Sequence, residues 1–210
     1  MPRNEETRFG AQKKIVHATE RQTDRVQLER WLFLRHREGL NAHKLIFFDE
    51  SGVNLSMARR YGRGYRGARV EGYVPKNWGE SVTLIAGIGH RGLMAPLILN
   101  GSMTGDAFEA YIEQAVVPHI GPGDVLVWDN LGAHRRARVR DLVEMAGASI
   151  LFLPPYSPDL NPIELAWSKL KTLLRGSVAR SPEALESAVA DAFSSITRED
   201  ILHWMQHCGY

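Results

Sequence analysis

Three acidic residues of this chain stand where they could act together. Asp49 and Asp129 each end a short apolar run, and Glu164 comes just after the proline-rich stretch "LPPYSPDLNP". Apolar runs of this kind are typical of buried strands, and the ends of neighbouring strands in α/β sheets converge on active sites. Carboxylates without cysteine or paired histidine ligands favour Mg²⁺ or Mn²⁺ over zinc.

Such an oxygen-rich site favours in-line phosphoryl transfer. Two divalent ions about 3.5–4 Å apart would activate the attacking oxygen and stabilise the leaving oxygen. Asp49, Asp129 and Glu164 are therefore the predicted catalytic and metal-binding residues, with two Mg²⁺ or Mn²⁺ ions as the predicted cofactor.

Each carboxylate also has an ordinary structural explanation. Aspartate often begins a turn after a strand, which would account for Asp49 and Asp129. Glu164 fits a capping box, with Asn161 as the N-cap and Pro162 as the first helical residue. Capping and metal binding are compatible, because a capping contact would fix the direction of the carboxylate.

The residues after Glu164 predict an amphipathic helix. Glu164 borders its apolar stripe, and Lys171 follows two turns later, where it could meet a phosphate. The stripe itself consists of Ile163, Ala166, Trp167, Leu170 and Leu174.

The rest of the chain alternates between strand and helix patterns. Helical patterns occupy residues 23–37, 104–120, 136–148, 162–174, 182–194 and 198–207, and strand-like runs occupy 44–51, 81–89, 93–99, 124–130 and 149–155. The second and third runs flank "HRG", which predicts a hairpin. This order predicts an α/β fold with a mixed five-stranded sheet covered by helices on both faces.

Composition excludes several classes of protein. The single cysteine, Cys208, rules out an internal disulfide and argues against a cysteine metal site. No apolar run approaches the roughly 18 residues that a membrane span needs, and the N-terminus lacks the apolar core of a secretory signal. A cytoplasmic protein without membrane association is therefore expected. The glycine-rich segment matches neither a P-loop nor a dinucleotide fingerprint.

Positive charge is clustered although the net charge is only +2. One cluster contains tyrosines between its arginines, and the other follows "WDN". Such clusters can contact DNA phosphates, although a solvated loop and a solvated helix face would explain them equally well. The predicted DNA contacts are Arg59, Arg60, Arg63, Arg66, Arg135, Arg136 and Lys171.

Three motifs resemble a known family. "FFDESGVN", "VWDNLGAHR" and "LPPYSPDLNPIELAWSKLK" together are similar to the catalytic domain of DDE transposases of the mariner-like superfamily, in particular the bacterial insertion-sequence 630 family. The 34 residues between Asp129 and Glu164 also resemble one branch of that superfamily. The resemblance covers residues 44 to about 205.

The resemblance carries specific implications. It implies a ribonuclease-H-like fold, divalent-metal dependence, cleavage of DNA at element ends, and attack of the 3′-hydroxyl on target DNA. The family's acidic residues fall on Asp49, Asp129 and Glu164. The implied partner is double-stranded DNA, from transposon ends and target, bound by a homodimer on paired ends. Loops around the site would contain Asn130, His134, Pro158 and Asn161.

The N-terminal region departs from the family pattern. Family members carry an N-terminal helix-turn-helix region, whereas only 43 residues precede Lys44 here. Residues 1–43 are therefore predicted to be a connector, and residues 44–210 the catalytic domain. The chain would be a truncated remnant, or the second frame of a split gene whose upstream product supplies the helix-turn-helix.

Two other functions fit the same residues. A ribonuclease-H-like nuclease without strand transfer would share the fold and the site. A catalytically silent, transposon-derived DNA-binding or interaction protein would share only the fold.

Overall fold

The computed structural model describes residues 18–59, 61–77, 81–130 and 132–210. Its strands are β1 Leu45–Val53, β2 Val82–Gly89, β3 Gly92–Asn100, β4 Val125–Trp128 and β5 Ser149–Phe152. Its α-helices are α1 Asp24–Arg37, α2 Gly105–Tyr111, α3 Ala137–Met145, α4 Ile163–Ser177, α5 Pro182–Ser194 and α6 Arg198–His207. None of the helices in these ranges is both long enough and apolar enough to cross a membrane.

The strands form one mixed sheet with the order β3-β2-β1-β4-β5. β1 lies at the centre, antiparallel to β2 and parallel to β4, while β2 and β3 form the predicted hairpin and β5 is parallel to β4. The predicted α/β class and the mixed five-stranded sheet are confirmed. Because β1 and β4 are parallel neighbours, their carboxyl ends meet at one edge.

Side chains of β1 alternate between two hydrophobic cores, as the two-residue period of a strand requires. Phe47 packs into the core that also holds residues of α4, α5 and α6. Ile46 and Phe48 pack into the core on the opposite face, with residues of α2 and α3. Asp49 therefore points toward the α4 side of the sheet, and Glu50 points toward the α2 side.

Several predicted boundaries differ from those of the structure. The first strand does not end at the carboxylates but runs to Val53, because β2 pairs with its whole length, from Ile46 opposite Gly89 to Val53 opposite Val82. The helix predicted over 104–120 is α-helical only to Tyr111, and a π-helical turn over Ile112–Val116 and a 3-10 turn over Val117–His119 follow. Pro118 is consistent with the end of the regular helix, because it has no N–H to donate and its ring clashes with the preceding turn.

Helix α1 packs against the sequence that leads into α4. Val26 and Phe33 are buried, and the Arg30 guanidinium donates to the Ser157 hydroxyl and to Asp159. The predicted helix over 23–37 is confirmed. The division of the chain at residue 43 stays a prediction.

A close contact between β1 and β2 fixes the position of Phe48. Phe48 stands opposite Gly87 in the register of the two strands. A Cβ atom at Gly87 would lie 2.5 Å from the Phe48 ring, far inside van der Waals contact. Phe48 also packs edge-on against Tyr111 and Trp128, so its ring has little room to move.

We expect Gly87→Ala to lower the free energy of unfolding by about 1–3 kcal/mol, because the added methyl must displace the Phe48 ring. Urea unfolding measures the change. Gly52→Ala, also in β1–β2 pairing, is the matched control, because its Cβ would meet nothing within 4 Å. The combination with Phe48→Leu should cost less than the sum of the two single substitutions. Equal stability of Gly87→Ala and wild type would contradict this explanation.

Candidate active site

Asp49, Asp129 and Glu164 line one cavity of about 600 Å³. Asp49 comes from the middle of β1, Asp129 follows the last residue of β4, and Glu164 lies in the first turn of α4. The wall opposite the strands is the segment 153–158, which connects β5 to α4. Residues that are up to 115 positions apart in sequence thus face a common space, as the sequence predicted.

Asp49 is held by α4 and is costly to ionise. The indole N–H of Trp167 donates to Asp49 Oδ2 at 3.1 Å. Burial, followed by the neighbouring charges of Glu164 and Asp129, raises the pKa of Asp49 to about 7. The Glu50 backbone and Trp167 hydrogen bonds act in the opposite direction, but they do not outweigh burial.

Glu164 does not form the predicted capping box. The N-cap of α4 is Pro162, without a side-chain capping bond, and the backbone N–H of Asn161 donates to Pro158 instead. Glu164 instead lines the cavity. Burial raises its pKa, Lys171 opposes that change, and Asp129 adds to it.

Asn161 is buried rather than placed at the helix end. The residue is 5% exposed, it lines the cavity, and its Oδ1 has no hydrogen-bond partner among the described residues. A buried amide oxygen without a partner costs folding free energy. An acceptor kept in that state at the wall of a carboxylate cavity is a candidate for contact with a bound group.

The ring of His134 contacts Asp129. His134 Nδ1 lies 2.7 Å from Asp129 Oδ1, and its Nε2 lies 3.5 Å from Glu50 Oε1. Burial alone would lower the pKa of His134, but the contacts with Asp129 and Glu50 outweigh it and raise the pKa to about 9. The histidine is therefore charged at neutral pH, between two carboxylates.

Asn130 lies at the mouth of the same site. It lines the cavity, and its amide oxygen accepts a short hydrogen bond from the Arg135 guanidinium. Arg135 also stands over the ring of Phe152, which ties the loop after β4 to the end of β5.

The three acids surround one space without forming a ready-made metal centre. Within the described ranges, no three histidine, cysteine, aspartate or glutamate side chains are close enough to hold a metal ion as they stand. Asp49 is turned to Trp167 and Asp129 to His134. Simultaneous ligation by all three would require their carboxylates to approach one another.

The predicted DNA contacts fall into different environments. Arg59, Arg63 and Arg66 are exposed in the segment between β1 and β2, and Arg60 lies outside the described residues. Arg136 forms ion pairs with Asp106 and Glu109 of α2, at 2.7 and 2.8 Å. The charge of Lys171 acts to lower the pKa of Glu164.

Two residues at the site were not predicted to contact the acids. Trp167 appeared only as part of the apolar stripe of the helix, yet its N–H reaches Asp49. Glu50, next to Asp49 in "FFDESGVN", contacts His134 from the other face of the sheet. The adjacent pair Asp49 and Glu50 indicates acidic side chains on both faces of the sheet, because adjacent strand residues point in opposite directions.

Comparison with known proteins gives a family match. The family model described as DDE superfamily endonuclease matches residues 44–186. The Tc1 transposase of Caenorhabditis elegans is 32% identical over 89 residues, which are 42% of this chain and 33% of that protein. The aligned region thus spans about a third of this curated relative.

Solved structures support the fold over nearly the whole chain. The Mos1 transposase in a paired-end complex with the left transposon end has a TM-score of 0.71 at 16% identity, covering 94% of this chain and 63% of that chain. The catalytic domain of Mos1 mariner transposase has a TM-score of 0.63 at 15% identity, covering 92% and 91%. The predicted ribonuclease-H-like fold is confirmed. The finer assignment to the insertion-sequence 630 family stays a prediction.

The raised pKa of Asp49 predicts a pH-dependent cost in stability. Because the pKa is about 7 in the folded protein and about 3.9 in an unfolded chain, the folded state binds the proton more tightly. Ionisation of Asp49 therefore costs nothing below about pH 4, and the cost is complete, at roughly 4 kcal/mol, above about pH 7. We expect Asp49→Asn to raise the melting temperature of the metal-free protein at about pH 8, with the gain shrinking as the pH falls toward 4.

The matched control is Asp191→Asn on α5, an exposed carboxylate. It should change the melting temperature little at either pH. A melting temperature of Asp49→Asn that stays below wild type at both pH values would show that the charge of Asp49 is not a burden to the fold.

Proposed function

The chain belongs to the DDE superfamily endonuclease family, and we propose that it performs the DNA cleavage and strand transfer of a transposase. The observation that carries the proposal is the single cavity lined by Asp49, Asp129 and Glu164. The match to Tc1 transposase and the fold shared with Mos1 transposase support it.

The residues of the cavity fit a divalent cation. Asp49 and Glu164 both have raised pKa values, to which the charge of Glu164 contributes at Asp49 and the charge of Asp129 contributes at both. A bound cation would relieve that repulsion, and the unpartnered oxygen of Asn161 adds a neutral acceptor to the same wall.

We propose Mg²⁺ or Mn²⁺ as the cofactor, present as two ions. Two of the Mos1 structures are complexes with Mn and with Mg. The cations would be held by Asp49, Asp129 and Glu164, and would supply stabilisation of the negative charge that develops on the attacking and leaving oxygens.

The chain's own residues would then orient those carboxylates and the DNA. Trp167 donates a hydrogen bond to one oxygen of Asp49, and Lys171 lies close enough to Glu164 to act on its pKa in the downward direction. The exposed arginines between β1 and β2 would contact the phosphates of double-stranded DNA. A homodimer on paired DNA ends and an upstream helix-turn-helix product remain predictions.

Cleavage of DNA tests the function. We expect the protein with Mn²⁺ to nick supercoiled plasmid and to join a duplex with a free 3′-hydroxyl to that plasmid. Asp129→Asn and Glu164→Gln should each reduce both rates on the order of 10³-fold, because each removes several kcal/mol of charge stabilisation. Gel analysis of nicked and joined products measures both steps, and Asp191→Asn is the control.

The products separate the alternatives. Nicking without joining would assign a nuclease that lacks strand transfer. Rates that are the same in wild type, Asp129→Asn and Glu164→Gln would reject the proposed function and leave a silent DNA-binding protein.

The salt dependence of DNA binding tests the predicted contacts. Arg63 and Arg66 are exposed and form no ion pair within the described part of the chain, so replacing both with alanine should reduce the slope of log K against log salt concentration by about 2. Arg136→Ala should change the slope by much less, because Asp106 and Glu109 already neutralise that guanidinium. Fluorescence anisotropy over a range of salt concentrations measures the slopes. A larger effect of Arg136→Ala than of the double variant would reverse this assignment.

A further inference from the structure

His134 is a polar residue in an apolar environment. It lies in the short 3-10 turn Ala133–Arg135 after β4, and its side chain is 4% exposed. Its ring packs on Phe108, with centroids 4.4 Å apart, and next to Trp128, with centroids 5.7 Å apart. A phenylalanine ring could pack in the same place. Packing therefore does not explain why this residue has two ring nitrogens.

Both nitrogens of His134 face carboxylates from different strands. Nδ1 lies 2.7 Å from Asp129 Oδ1 and 3.3 Å from the backbone oxygen of the same residue. Nε2 lies 3.5 Å from Glu50 Oε1. The ring thus connects the carboxylate after β4 with the one on β1 that points away from the cavity.

Asp129 lies just beyond the end of a strand, whereas the other two acids lie within regular elements. β4 ends at Trp128, so the Asp129 backbone lies just beyond the sheet, and its side chain is 44% exposed. Asp49 lies within β1 and Glu164 within α4. A carboxylate at a strand end can adopt several rotamers, and a short hydrogen bond from a buried ring reduces that choice.

Glu50 is placed to fix the ring itself. Its side chain is 25% exposed and approaches His134 from the α2 face of the sheet. A second carboxylate on the far nitrogen orients an imidazole, as the outer partners of metal-binding histidines do. Asp49 would therefore act at the cavity itself, and its neighbour Glu50 would act through the histidine.

We propose that His134 and Glu50 are positioning residues that hold the Asp129 carboxylate in the direction needed for metal binding. The inference rests on the proposed function, because it assigns a task to Asp129 as a cation ligand. Neither residue lines the cavity. Both act through Asp129.

Substitutions of His134 can separate packing from hydrogen bonding. His134→Phe keeps a ring against Phe108 and Trp128 but removes both nitrogens. His134→Asn retains a donor close to the position of Nδ1, so it should keep the contact with Asp129 and lose the one with Glu50. Glu50→Gln removes the outer charge and leaves the ring in place.

The affinity for Mn²⁺ is the decisive measurement. Free Mn²⁺ is counted by electron paramagnetic resonance in the full chain with duplex DNA present, and a thermal melt of each variant monitors folding. We expect His134→Phe to weaken Mn²⁺ binding by about 10- to 100-fold, with His134→Asn nearer to wild type and Glu50→Gln in between. Adding Glu50→Gln to His134→Phe should weaken binding no further, because the chain of contacts is already broken.

The outcomes distinguish this inference from the proposed function. Wild-type Mn²⁺ affinity in His134→Phe and in Glu50→Gln would overturn the positioning role while the metal site stands. No Mn²⁺ binding by wild type, together with no DNA nicking, would overturn the proposed function and the inference with it. If His134→Phe fails to fold, Glu50→Gln decides, since that side chain is partly exposed and its replacement is nearly isosteric.

Discussion

The grouping of three carboxylates around one cavity is the constraint on which this structure depends. Removing a carboxylate from water is costly, and each further negative charge nearby adds to the cost. The raised pKa values of Asp49 and Glu164 report that cost directly. The fold must therefore surround the acids with donors and positive charge, and must supply the free energy from its two hydrophobic cores.

The neighbours of the acids meet this requirement from every side. Trp167 donates from α4 to Asp49, Lys171 faces Glu164 from the same helix, and His134 contacts Asp129 from the opposite face of the sheet. Trp167 belongs to one hydrophobic core and the His134 ring packs on Phe108 and Trp128 of the other, so both side chains are held by the cores. That arrangement suits a cation site, because the donors limit the repulsion between the carboxylates without filling the cavity.

The wall of the cavity is held by the N-terminal helix. Asp159 accepts from Arg21 and from Arg30, whose side chains are largely buried, and Arg30 also reaches the Ser157 hydroxyl. These contacts fix the segment between β5 and α4, whose residues line the cavity. Helix α1 is thereby part of what shapes the site, whatever else the region before Lys44 does.

The sequence by itself determined the order of the elements and the identity of the acids. Apolar runs, helical spacing and turn residues are local signals, so they predicted the five strands, the hairpin and the positions of helices α5 and α6. The motif residues around Asp49, Asp129 and Glu164 also predicted the family that the comparison then matched over residues 44–186.

Tertiary structure decided how those residues are used. Pairing with β2 extended β1 past Asp49, and burial withdrew Asn161 from the helix cap that its sequence position suggested. The contacts of Trp167 with Asp49 and of His134 with Glu50 join residues 118 and 84 positions apart. No local pattern encodes such contacts, because they arise only when parallel strands and the helices on both faces bring distant segments together.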